Sequence, residues 1–555
     1  MLAVLLLGSV AAISSQRVSE EKSAQPGTTF RVGTKLVEVD VVARDKHGLA
    51  TGLSREDFTL LDNGSPQEIA FFLVKSVRDQ ATAAPAPAVP LPPGTFSNRR
   101  NPEEEAPATQ TVLLIDQIFT NELDQIFAVQ RIAKFLDLRR KQDGIGIYTA
   151  GNPVHVIQDV TDDEQLLRCA ANRLQARDPN HRNGDTTGMS EKASAEYLQL
   201  IMKERIYALK HAFEAVARHL ASVPGRKNLV WITDGFPLLV CVNHICIDYS
   251  PEMRDAARAL NEANIALYAV DARGLIGALG PMMSIPRAES RGPQSLLQLS
   301  QMMRARAEAP AGPTHIETMN LLAGLTGGAV YFNSNGLEDS FKRAVEDGDI
   351  TYSLGFYPSG SGQDETAHRL VVKVDRMGVR LRYRENYFAA KPRLEADDGP
   401  ALDQLLRDPL NATQIGLLAQ VTPAAGQAGV FDVHVSLGLH DLRLDHQDMR
   451  WVGAVQVSFL IEGTKTAAVT TKRIEIPENQ LAVALENGVS FDHLVAWQGR
   501  PADLRIVVED KATGAAGSVI VPLGRKRAPN PGKGDTCVST SESTSTFWSR
   551  GFIHK

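Results

Sequence analysis

Three observations predict an α/β domain with an open, mostly parallel sheet, set between β domains. From residue 110 onward apolar strands alternate with helical patterns; two of those strands end in an aspartate; and on either side of this region apolar residues recur at every second position. The first pattern specifies parallel strands covered by helices on both faces, a doubly wound arrangement. The last is the mark of half-buried strands. At 555 residues the chain is too long for one core and divides into three or four domains.

The N-terminal β segment spans residues 28–78. Thr29 to Arg44 alternates apolar and polar residues, Asp45-Lys-His-Gly48 is turn chemistry, and Phe58 to Leu73 reads as two strands joined through Asn63-Gly64, a hairpin signal. Residues 79–109 are dominated by Ala, Pro and acidic side chains with little to bury, so an extended linker is expected.

The α/β domain is expected over 110–348. Its first strand, Thr111 to Asp116, precedes a helix in which Leu123, Ile126, Val129, Ala133 and Leu136 recur at helical spacing. Strands at Gly144 to Ala150 and Val154 to Ile157 follow, then a helix from Asp162 to Leu174 and a long one from Ser190 to Leu220, stopped by Pro224-Gly225. The strand Lys227 to Thr233 delivers Asp234. A helix over 251–261, the strand Ile265 to Asp271, a polar loop, a helix over 316–326, the strand Ala329 to Phe332 and a helix over 337–345 complete the domain.

Three further strands lie within 349–390. Three strands at either end would leave open edges, so the two β segments are expected to pair into one sandwich into which the α/β domain is inserted. A linker over 391–412 leads to a C-terminal all-β domain, 413–525, and a disordered tail over 526–555.

Composition excludes several classes. A charged fraction of 22% and a net charge of -6 spread along the chain leave no footprint for nucleic acid and no polybasic membrane patch. Residues 1–15 read as a signal peptide that lacks a basic start and is too short to cross a ~30 Å bilayer. A secreted or periplasmic mature protein without a membrane span is expected. Of four cysteines, Cys241 and Cys246 flank a short loop and are expected to pair; a zinc site with His244 would crowd three ligands into one loop. Cys169, among Leu166, Leu167 and Ala170, reads as a buried apolar residue.

Ligands of open α/β sheets collect outside the carboxyl ends of the strands, where Asp116 and Asp234 both lie. Strand-tip carboxylates with hydroxyls nearby describe a hard-cation site, and Thr120 and Thr186 or Thr187 are the hydroxyl candidates. Here the chain resembles the von Willebrand factor type A domain, whose metal-ion-dependent adhesion site takes Asp-x-Ser-x-Ser, a distant Thr and a further Asp. Carried onto this sequence the positions are Asp116, Ile118, Thr120, Thr186 or Thr187, and Asp234, and 187 − 116 = 71 residues separate the first Asp from Thr187, about what that fold requires. The resemblance implies that Asp116, Thr120, Thr187 and Asp234 hold a divalent cation, Mg²⁺ first, with Mn²⁺ or Ca²⁺ as alternatives. A partner protein's acidic side chain would complete the coordination. Ile118 departs from the pattern, since an aliphatic side chain cannot ligate; water, Asn121, Glu122 or Asp185 would have to compensate. Phe236 and Asn121 are expected at the partner contact. Together with Val37 to Asp45, Leu53 to Gly64, Pro224 to Pro237 and Tyr352 to Pro358, the chain over residues 28 to 390 is similar to the von Willebrand factor A-related proteins abundant in acidobacteria.

Two alternatives share these residues. Asp116-x-x-x-Thr120 after an apolar strand also resembles the nucleophile loop of haloacid dehalogenase-like hydrolases, in which the aspartate attacks the substrate; the second Asp of the phosphatase branch would fall at Ile118 and is absent. A structural envelope scaffold would need no metal at all. Arg226-Lys227 reads as a turn at the opposite end of its strand, and Trp231, inside an apolar run, as core.

Overall fold

The computed structural model describes residues 36–76, 94–99, 109–176, 190–242, 245–274, 314–332, 336–358, 367–388 and 399–524. Thr186, Thr187, Asp185, His244, the expected signal peptide and the expected tail lie outside the described residues. The protein is mixed α/β and mostly sheet.

The strands that precede and follow the α/β region pair with each other. Val37–Asp45 lies between Arg380–Arg382 and Ile350–Phe356, which in turn pairs with Phe71–Ser76. A second sheet joins Asn386–Phe388, Ala367–Val374, Phe58–Asp62 and Ser65–Gln67. Val39, Val41, Phe58, Leu60, Tyr352, Leu354, Leu370 and Val372 meet in one buried cluster between them. Asn63 and Gly64, at φ 48° and 84°, make the turn from Phe58–Asp62 to Ser65–Gln67, a conformation their residue types favour.

The central sheet holds β1 (Thr109–Asp116), β2 (Asp143–Ala150), β3 (His155–Thr161), β4 (Lys227–Thr233), β5 (Ile265–Asp271) and β6 (Ala329–Tyr331). The order is β6-β5-β4-β1-β2-β3, parallel throughout except for the antiparallel edge strand β3. Its helices are α1 (Glu122–Leu138), α2 (Glu164–Arg173), α3 (Glu191–Leu220), α4 (Ser250–Glu262), α5 (Thr314–Thr326) and α6 (Leu337–Glu346). Strand side chains alternate between two cores, because successive residues point to opposite faces. Val112, Leu114, Leu229, Trp231 and Leu267 pack with Phe213 of α3, Met253 of α4 and Leu322 of α5. Leu113, Ile115, Val230, Ile232 and Tyr268 pack with Phe135 of α1, Leu167 of α2 and Phe341 of α6. Both faces are therefore dry, which explains why these strands are continuous apolar runs.

The amino end of this sheet is closed by polar contacts, several of them to the flanking β segments. Asp347, fully buried, accepts from Arg44 Nε at 2.5 Å, Arg382 Nη1 at 2.7 Å and the Tyr268 hydroxyl at 2.9 Å. Arg226 donates to the Gly327 carbonyl at 2.6 Å, and Lys227 Nζ to the Val223 carbonyl at 2.7 Å. Both side chains are bonded inside the amino end, so the pair is more than a turn. A Cβ on Gly328, which leads α5 into β6, would sit 1.8 Å from the Leu267 carbonyl oxygen, so only glycine fits there.

Both segments expected to be linkers contain regular structure. Thr95–Ser97 is a strand that pairs with Leu417–Pro423 of the C-terminal domain, and Asn98 beside it bonds the Ala412 and Ile415 carbonyls and the Leu417 amide at 2.7–2.8 Å. Gly399–Arg407 is a helix, and the buried Arg505 donates to the Leu405 carbonyl just inside its end at 3.0 Å and to the Leu410 carbonyl at 2.7 Å. The C-terminal domain stacks two antiparallel sheets over Leu417, Val433, Val457, Ile506 and Val519. Cys169 is half-buried and disulfide-bonded, which corrects its reading as a buried apolar residue. No helix among the described residues is long and apolar enough to cross a membrane.

Candidate functional site

β1 and β4 are neighbours at the centre of the sheet, with Ile232 beside Ile115 in register, so Asp116 and Asp234 emerge at one rim. This is where the strand order reverses, with β2 and β3 to one side and β5 and β6 to the other. Crevices form at such points in α/β sheets.

Asp116 is 0% exposed and saturated with donors. Its Oδ1 accepts from the amides of Ile118 at 2.8 Å and Phe119 at 3.0 Å; its Oδ2 accepts from the Thr233 hydroxyl at 2.8 Å and Trp231 Nε1 at 3.3 Å. Burial raises its pKa above the ordinary carboxylate value, while the four donors pull the other way. Thr233 relays the contact, since its Oγ1 also accepts from the Gly235 amide at 2.9 Å. Gly235, at φ 72°, turns the chain away from β4.

Thr120 is fully buried, and its Oγ1 accepts from the Asp234 amide at 3.2 Å. Asn121 caps α1 by accepting from the Asp124 amide at 3.1 Å. Its backbone amide and Nδ2 both reach Asp234 Oδ2, at 3.1 and 3.0 Å, and its Nδ2 also donates to Asp124. The structure thus brings Asp116, Thr120, Asn121 and Asp234 together. Asn121 is half-buried and positions the acidic groups; it is not a free contact residue.

Phe236 does not face a partner. It is 1% exposed, stacked on Phe119 with ring centroids 4.4 Å apart, and its carbonyl accepts from the Thr318 hydroxyl. The aromatic ring contributes more to the core beneath the rim than it could in water. Trp231 is core, but its indole N–H also holds Asp116.

Sequence reasoning missed Arg273, which follows β5. Its Nε and Nη2 clasp the buried Asp271 at 2.9 and 2.8 Å, a fork-on-carboxylate geometry. It also missed the hairpin Leu239–Val242 and Ile245–Asp248, in which Cys241 and Cys246 face each other and form a disulfide.

Among the described residues, the rim offers few open oxygens for the divalent cation expected there. Ile118 is 8% exposed and belongs to the core, so the position of a ligating hydroxyl is closed by an aliphatic chain. Four donors occupy Asp116, and the Thr120 hydroxyl oxygen already accepts the Asp234 amide. Among the described residues no group of three or more His, Cys, Asp or Glu side chains could hold a metal ion.

No family model matches the chain, and no curated protein does. Among solved structures it is similar to an aerotolerance-related membrane protein from Bacteroides fragilis at 14% identity, covering 43% of this chain and 98% of that one, with a TM-score of 0.25. BatB from Bacteroides thetaiotaomicron gives the same figures: 14% identity, 43% and 98% coverage, TM-score 0.25. A von Willebrand factor type A protein from Catenulispora acidiphila matches at 10% identity over 75% of this chain and 66% of that one, with a TM-score of 0.22.

Proposed function

We propose that this chain is an exported, non-enzymatic protein built on a von Willebrand factor A-type domain, doubly wound and inserted in a β-sandwich, which binds a partner protein at the rim between β1 and β4. The observation that carries this reading is the convergence of Asp116 and Asp234. They are 234 − 116 = 118 residues apart in sequence, yet Thr233 and Thr120 tie them to one edge of one sheet. The sequence resemblance over residues 28 to 390 points the same way, and so does the strand order. Export is supported by the disulfide between Cys241 and Cys246 and by the disulfide-bonded Cys169, since such bonds persist in oxidising compartments.

The hydrolase reading loses support from burial. A nucleophile must reach its substrate, whereas Asp116 is 0% exposed with both oxygens engaged. A passive scaffold would use the same fold without the rim, and one experiment separates the two. Envelope proteins captured on the immobilised chain are compared for wild type, Glu122→Lys at the exposed start of α1, and Lys465→Glu on the exposed surface of the C-terminal domain. A rim-dependent partner is retained by the third and lost by the second. Equal capture by all three sinks the rim as the contact.

A further inference from the structure

The rim carries a fixed cation of its own. Asp271, the last residue of β5, is the register partner of Thr233, and the Ala272 amide donates to the Thr233 carbonyl at 3.0 Å, so Arg273 leaves the sheet beside Asp234. Its position is rigid: the Arg273 amide and Nε bond Asp271 Oδ1 at 3.0 and 2.9 Å, Nη2 bonds Oδ2 at 2.8 Å, and the side chain is 16% exposed. The hydrogen bond that Arg273 donates to Asp271 raises the Arg273 pKa most, and the charges of Asp234 and Asp124 raise it further.

We propose that Arg273 is the resident counter-charge of this rim, clasping Asp271 beside Asp234 with no metal bound. A guanidinium is permanently charged and meets a carboxylate through two donors at once, so it orders the group it neutralises. It also opposes any incoming cation, because like charges a few ångströms apart repel strongly where water is scarce. The aliphatic Ile118 and the saturated Asp116 accord with a rim that carries its own cation and does not use them as ligands. This goes beyond the partner contact proposed above, since that contact stands or falls on capture and this one on ion binding.

The test uses the full chain, with Mg²⁺ and Mn²⁺ as probes, in calorimetry and thermal unfolding. Wild type should give no one-site binding heat at ~1 mM ion, and chelator should leave its Tm unchanged. Arg273→Gln should lose at least ~2–4 °C, and Mn²⁺ should restore it. Arg273→Lys should keep most of the wild-type Tm. As a control, Arg140→Gln removes a guanidinium that bridges Asp143 and Asp349 far from the rim, and its loss of Tm should not respond to Mn²⁺. A one-site isotherm for wild type that Asp234→Ala abolishes would overturn the proposal. So would an Arg273→Gln protein that is unaffected, or one that loses stability without rescue by divalent ions.

Discussion

The same substitution, Thr to Val, should have opposite signs at two buried positions of the central sheet. Thr233 and Thr111 are both 0% exposed, so in each case valine replaces threonine at nearly constant volume and only the hydroxyl is lost. At Thr233 that hydroxyl donates to the ionised Asp116 at 2.8 Å and accepts from the Gly235 amide at 2.9 Å. A hydrogen bond to a charged group is worth about 1.5–3 kcal/mol, and the bond from the Gly235 amide about 1 kcal/mol more. Local relaxation offsets part of this, and about 3 kcal/mol of destabilisation is expected for Thr233→Val. The Thr111 hydroxyl is buried with no hydrogen-bond partner among the described residues. Thr111→Val removes an unsatisfied polar group and should be neutral or stabilising by about 1 kcal/mol. Urea unfolding followed by the loss of helical circular dichroism, to which the helices of this domain contribute most, reads both changes from the shift in midpoint. Equal losses in the two variants, or a Thr233→Val protein within about 0.5 kcal/mol of wild type, would refute the view that Thr233 holds Asp116 through a charge-assisted bond.

Two pH dependences follow from the junctions that hold the central domain. Burial pushes the Lys227 pKa down from 10.5 to about 8. A depressed lysine binds fewer protons when folded, so stability should rise with pH between about 8 and 10.5. Lys227→Met should abolish that rise and gain up to about 3 kcal/mol at pH 7, measured by denaturant titration at several pH values. His219 behaves oppositely. Its Nδ1 lies 2.9 Å from the Asn411 carbonyl and its Nε2 3.2 Å from Asp159, both acceptors, so the imidazolium satisfies both. Burial opposes that charge but is outweighed by Asp159 and Asn411, and the pKa is raised. The contribution is present below about pH 6.5 and is lost as pH rises through the folded value. Thermal unfolding between pH 6 and 8 should show this loss in wild type and not in His219→Gln, on the order of 1 kcal/mol because half-exposed Asp159 is screened by solvent.

What the sequence made legible was set by how local the cause is. β1, β4 and β5 are buried on both faces, and their continuous apolar runs announce that without reference to any partner. Asn63-Gly64 specifies its own turn. Thr95–Ser97 does neither, because three residues in a Pro- and Ala-rich stretch become a strand only through Leu418, Ala419 and Gln420, more than 300 positions away. Arg273 was invisible for the same reason. Its neighbour Asp271 is two residues off, but Asp234 and Asp124 reach it only once β4, β5 and α1 have been assembled. Phe236 misled because loop membership was equated with exposure, whereas Phe119 and Thr318 bury it from two other elements.

The two ends of the central sheet use charge differently, and the difference bears on where a partner can bind. At the amino end Asp347 is surrounded by Arg44 and Arg382, both supplied by the flanking β segments, and Asn264 reaches back to Asp40 at 2.7 Å. Breaking such buried pairs is expensive, on the order of 3–5 kcal/mol each, so that end is committed to holding the domains in register. At the carboxyl end Arg273 binds Asp271, the last residue of the strand it follows, and Asn121 binds Asp234 within the same domain. No other domain is tied down by these contacts. The rim is therefore organised before any partner arrives, and preorganisation of this kind lowers the ordering cost of binding. The partner proposed for the rim would meet the partly exposed Asp234 and Arg273, both already fixed, and its recognition would depend on complementary charge more than on an ion carried between the two proteins.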